Sequence, residues 1–145
     1  MSKESESSIT CFNEGFSCSQ AVLASHCEKL GLEKELAFRV SGAFGGGMGH
    51  IGETCGAVTG SLMLIGLKYG KYKKEDLESK DRTYNVVKNF INEFRKIHGS
   101  IKCSDLINFD ISNNEELLEA RESGVFNTIC PALVKGSIEI VEKYL

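Results

Sequence analysis

The chain has a single proline, Pro131, and little of the β-branched alternation that marks strands. Scarce helix breakers and scarce alternation both favour helices. None of its six cysteines forms a C-x-x-C pair, which disfavours zinc ribbons and thioredoxin-like sites. The net charge is −3 and no basic patch is dense, so nucleic acid is not expected as a partner. The most apolar stretch, "GAVTGSLMLIGL", covers residues 56–67. A membrane span needs roughly 18 apolar residues or more, so this stretch reads as a buried core helix and no membrane partner is expected. No secretory apolar run opens the chain, which predicts a cytoplasmic protein with reduced thiols. No internal repeat, linker or serine–histidine–acid constellation stands out.

Turning to what is present, 145 residues suit one domain over residues 1–145, with the polar start at 1–8 frayed. Helical patterns follow in order. A short segment over residues 8–13 meets Gly15. Ser17 looks like the N-cap of "CSQAVLASHCEKL", which Gly31 closes. A third helix covers 33–42, and a buried one follows a glycine-rich loop. Tyr84, Val87, Phe90, Ile91 and Phe94 fall on one face of a long helix over 75–97. Two more are expected: "SNNEELLEARES", capped at Ser112 or Asn113, and a last helix over 128–145 with Pro131 near its first position. The expectation is an all-α fold: a compact bundle of about six helices with a glycine-rich loop.

That loop, "GAFGGGMGHIGETCG", is long for a compact domain, which is usually a functional sign. It ends on Cys55, at the mouth of the buried helix. Cys18 follows an expected N-cap, Cys103 lies in the turn after Gly99 and Ser100, and Cys130 precedes Pro131. All four therefore sit at expected helix N-termini. Unpaired N–H groups and a partial positive charge there favour thiolate over thiol. Thiolate is both the nucleophile and the metal ligand. Backbone N–H groups of Gly45, Gly46, Gly47, Gly49 and Gly52 can add a cradle for an anionic cofactor. Cys11 and Cys27 read as structural, because free cysteine packs like a small hydrophobe.

Other motifs weigh less. Residues 47–52, "GMGHIG", match G-x-G-x-x-G, but the segment before them looks helical, so dinucleotide binding is disfavoured. Gly56 and Gly60 suggest close helix packing in the core, with a homodimer seam as the alternative. His50 reads as a solvated loop residue, Met48 as a local anchor, and His26 and His98 as C-terminal capping groups.

The stretches "EGFSCSQAV", "GAFGGGMGHIGETCGAVTGSLMLIGLKYG" and "FRKIHGSIKCSDL", with the late Cys130, resemble the C_GCAxxG_C_C family of redox-active proteins. The likeness covers about residues 13–133. Its pattern falls on Cys18, Cys55, Cys103 and Cys130, the cysteines already singled out by helix position. One departure is visible: the family name places glycine before cysteine, whereas Cys55 here precedes Gly56 and Ala57. The resemblance implies a redox role and an α-helical domain.

Three functional expectations result. In the first, Cys18, Cys55, Cys103 and Cys130 ligate an iron–sulfur cluster for electron transfer with a redox partner protein, or for support of a redox enzyme. In the second, the protein is a thiol–disulfide protein or sensor without metal, with Cys55 attacking and Cys18 among the reactive thiols. The third is a structural zinc site of four cysteines, or a plain helical interaction domain.

Overall fold

Serine, rather than leucine, lines the inner face of the first helix. The computed structural model describes residues 2–145, and helix α1 spans Lys3–Asn13. Ser2 caps it, its Oγ accepting from the Ser5 N–H at 3.0 Å. Ser5 and Ser8 are buried, and Ser8 Oγ donates to the Ala21 carbonyl at 2.9 Å. The expected fraying of 1–8 is thus corrected from Lys3 onward. Small polar side chains let α1 pack closely on the next helix, where no apolar periodicity announces it. Residue 1 of that stretch lies outside the described residues.

Helix α2, Cys18–His26, starts on a capping box in which Ser17 and Gln20 each bond the other's backbone. A short 3-10 turn, Glu28–Leu30, leads to Gly31 and then to α3, Lys34–Ser41. Next come α4, Gly56–Tyr69, and α5, Leu77–His98. The short α6, Cys103–Ile107, precedes α7, Asn114–Ser123, and α8, Val125–Val141, with a closing 3-10 turn at Glu142–Tyr144. Among the described residues the fold is therefore all-α with eight helices rather than about six. The only β pairing in it is an isolated antiparallel bridge between Thr54 and Lys102.

Helix α4 is the central rod, packed against α2, α5 and α8. Val22, Leu23, Leu64, Ile65, Phe90, Phe94, Val134 and Ile138 are fully buried around it. Burying side chains of this kind contributes about 1.5–3 kcal/mol each before entropy is counted. Tyr84, expected on the inner face of α5, is instead 57% exposed. Gly56 and Gly60 are used within the chain. A Cβ on Gly56 would stand 2.9 Å from the Ser19 nitrogen, and one on Gly60 would stand 2.8 Å from the Ser19 oxygen. Among the described residues, no single helix is long and apolar enough to cross a membrane.

The last helix begins earlier than its proline suggests. Gly124, at φ +80°, ends α7 and opens α8. Cys130 and Pro131 consequently lie inside α8 rather than at its start, which corrects the expectation for Cys130. Nor are His26 and His98 capping groups. The His26 ring bonds Ser25 Oγ, and the His98 ring packs against Phe94 at 4.4 Å between centroids, tilted by 41°.

A candidate thiol cluster

Residues 46–50 form a left-handed turn. Gly46, Gly47 and Gly49 have φ +66°, and Met48 and His50 follow them at +70° and +66°. Two non-glycine residues in this region cost roughly 1–2 kcal/mol each. The turn is nevertheless closed by main-chain bonds, Met48 to Phe44 at 3.2 Å and Gly49 to Gly45 at 2.9 Å. Backbone strain of this kind persists where the surroundings over-determine it, and it concentrates at functional sites.

The turn then reaches across to α6. Glu53 N–H donates to the Gly47 carbonyl at 3.0 Å, and Cys103 N–H donates to the Glu53 carbonyl at 2.6 Å. Cys55 N–H donates to the Ile101 carbonyl at 2.7 Å. The Thr54–Lys102 bridge lies between these two bonds, so Cys55 and Cys103 are held by the same few residues. Cys55 is the N-cap of α4, and Cys103 is the first residue of α6. Cys18 opens α2, and α8 brings Cys130 up from its own interior.

The four side chains sense one another. Cys130 hydrogen-bonds Cys18, and Cys55 and Cys103 each feel the charge of Cys18. Cys55, Cys103 and Cys130 are buried, and Cys18 is partly buried. All four are free thiols. Cys11 and Cys27 pack on the hydrophobic core, where burial raises both thiols.

Of the three thiols that do sit at helix starts, only Cys18 is acidified; burial raises Cys55 and Cys103. The Cys130 thiol bonded to Cys18 holds Cys18 below the ordinary thiol range. Burial opposes this, and the N–H groups of Cys18, Ser19 and Gly46 reinforce it. Burial pushes Cys55 far up, helped by repulsion from Cys18 and outweighing the Ala57 and Val58 N–H groups of its own helix start. Cys103 rises to about 11, again through burial. Cys130 rises as well, because it gives its hydrogen bond to Cys18 and is also desolvated. The acidic thiol of the group is therefore Cys18, not Cys55.

The glycines divide their roles. Gly46 turns its N–H to the Cys18 sulfur. Gly47 lies against Cys103, Gly45 against Ser17, and Gly52 beside Ser104. Gly49 has little around it. The exposed His50 lays its ring over Gly46, which a Cβ at Gly46 would strike at 2.1 Å. Met48 is half-buried in the same turn.

A helical bundle that gathers four thiols from four separate segments, beside a glycine turn, defines an all-α cysteine-cluster protein. Residues 16–144 match the family described as "Putative redox-active protein (C_GCAxxG_C_C)", and the chain belongs to that family. No curated protein and no solved structure gives a match.

Proposed function

We propose that Cys18, Cys55, Cys103 and Cys130 hold an iron–sulfur cluster and that the protein exchanges electrons with a redox partner protein or supports a redox enzyme. The observation that carries this reading is the mutual influence of four thiols drawn from α2, the start of α4, α6 and α8. Such a donor set is all sulfur, the ligand type of iron–sulfur clusters. When bound, a cluster supplies one-electron redox chemistry. The chain's own part is to bury three of the sulfurs and to offer main-chain N–H groups to Cys18 and Cys55. Hydrogen bonds to sulfur and low solvent exposure are what tune such a centre.

A cluster and a single zinc ion differ in the sulfur spacing they require. A tetrahedral zinc with bonds of ~2.3 Å holds its sulfurs about 3.8 Å apart. Among the described residues, no three cysteines have sulfurs all within 4.8 Å of one another. A cluster places several atoms between its thiolates and tolerates the wider arrangement. The test is anaerobic reconstitution with iron and sulfide, followed by a visible spectrum and iron, sulfide and zinc analysis. Brown protein with iron and sulfide bound supports the proposal. Colourless protein that retains only zinc, or no metal, refutes it.

One observation favours a second reading, thiol–disulfide exchange without metal. Cys18 is acidified by its hydrogen bond from Cys130, so in this reading it attacks a disulfide or peroxide and Cys130 resolves the product. The attacked substrate takes two electrons, and a Cys18–Cys130 disulfide is left. Peptide mapping after mild oxidation of metal-free protein decides it. A reversible Cys18–Cys130 bridge supports this reading, and random pairing removes it.

A further inference from the structure

A second group of donor atoms lies at the other end of α2. Glu4, His26 and Glu142 bring two carboxylates and an imidazole within 4.8 Å of one another. Glu4 comes from the first turn of α1, His26 from the last residue of α2, and Glu142 from the turn after α8. Cys18 is the first residue of α2, about 12 Å away along the axis at ~1.5 Å per residue. This group is therefore distinct from the thiol cluster.

The proton on His26 can be placed from its neighbours. Ser25 Oγ donates its single proton to the Val22 carbonyl at 2.5 Å. In its contact with His26 Nδ1, at 2.8 Å, the serine oxygen must then accept. Nδ1 carries the ring proton, and Nε2 keeps a lone pair. That nitrogen makes no hydrogen bond and points at Glu142 Oε2, 3.8 Å away. The His26 side chain is only 9% exposed. A lone pair and two carboxylates thus face one another, and each acceptor is held from outside the group. Ser2 Oγ donates to Glu142 Oε1 at 2.7 Å, and Lys29 pairs with Glu4. A hydrogen-bonded second nitrogen that fixes the tautomer is the usual preparation of a metal-binding histidine.

We propose that Glu4, His26 and Glu142 form a second metal site, which takes one divalent first-row transition ion and fastens the first helix to the chain's last turn. Mixed carboxylate and imidazole ligands suit ions from manganese to zinc. The competitor is Lys29, whose ammonium pairs with Glu4 but whose side chain is 65% exposed and free to swing away.

Manganese(II) is the probe, because hard carboxylates accept it and soft thiolates do not select it. The full-length chain is titrated with Mn(II) in excess Mg(II), and free Mn(II) is read by its electron paramagnetic resonance signal. One saturable ion per chain is expected, with binding weakened about tenfold or more in His26→Gln and in Glu142→Gln. Lys29→Ala removes an exposed competitor, leaves the core intact and should tighten binding about threefold. No saturable Mn(II), or equal affinity in wild type and His26→Gln, overturns the proposal. If His26→Gln does not fold, Lys29→Ala decides, and unchanged or weaker binding there overturns it.

Discussion

Gly47 lies directly against Cys103: a β-carbon on the glycine would stand 2.7 Å from the β-carbon of the cysteine. The same added atom would meet the Glu53 nitrogen at 2.6 Å, and the backbone there is at φ +66°. Gly47→Ala therefore combines left-handed strain with overpacking. It should cost about 2–4 kcal/mol in chemical denaturation and displace Cys103. Iron retention after reconstitution should fall with it. Unchanged denaturation and full iron content would contradict the account of the glycine turn.

Two glycines of α4 predict opposite signs. A Cβ on Gly60 would press on the Ser19 carbonyl at 2.8 Å and on Val22 at 3.0 Å, whereas one on Gly66 meets nothing within 4 Å. Gly66→Ala gains helix propensity and should stabilise by up to about 1 kcal/mol. Gly60→Ala gains the same propensity but forces α2 and α4 apart, and it should destabilise by about 1–2 kcal/mol net. Thermal melts of the two variants check the difference in sign.

The four site cysteines and the two core cysteines separate in a serine and alanine scan. Cys18→Ser, Cys55→Ser, Cys103→Ser and Cys130→Ser should each lose most of the reconstituted visible absorption. Cys11→Ser and Cys27→Ala should keep it, because neither is influenced by any other cysteine. Equal loss in Cys11→Ser would assign the ligands differently.

Thiol reactivity in the metal-free protein should rank Cys18 ahead of Cys55. The hydrogen bond from Cys130 lowers Cys18, while burial raises Cys55. Pulsed alkylation near neutral pH, followed by peptide mapping, reads the order. Loading with metal should also improve as pH rises, because the raised thiols of Cys55, Cys103 and Cys130 must lose protons to bind.

Acid should weaken the fold through two histidines. Burial lowers the pKa of both His98 and His26, and His98 Nε2 is buried without a partner. The unfolded chain takes up these protons near pH ~6.5, the native chain only at lower pH. Their stabilising contribution is complete above about 6.5 and is lost as pH falls through the native values. Melting temperature should drop between about pH 7 and 5, and His98→Leu should flatten that slope without abolishing it, since His26 acts in the same direction.

Much of this architecture is legible in residue patterns. The serine before Cys18 is an N-cap, and the apolar stretch after the glycine loop is the central rod. What escaped has physical causes. The first half of α1, before the expected segment at 8–13, is hidden because its buried face carries Ser5 and Ser8 in place of an apolar stripe. The start of α8 is hidden because Gly124 supplies the boundary, while Pro131, the obvious marker, is tolerated inside the helix. Helix position alone misjudged the thiols, since electrostatic help at a helix start competes with burial, and burial depends on packing. The Glu4–His26–Glu142 group is invisible in one dimension, because its members meet only once α1, α2 and the last turn are docked.

The bridge between Thr54 and Lys102 ties two parts of the thiol group to each other. It joins two of the sulfur-bearing segments through a few main-chain bonds, and α2 packs on α4 beside them. Cys130 rides on α8, which follows the other three sulfur-bearing segments along the chain and leaves the ribosome after them. A nascent chain therefore presents three of the four thiols before α8 supplies the fourth and completes the group.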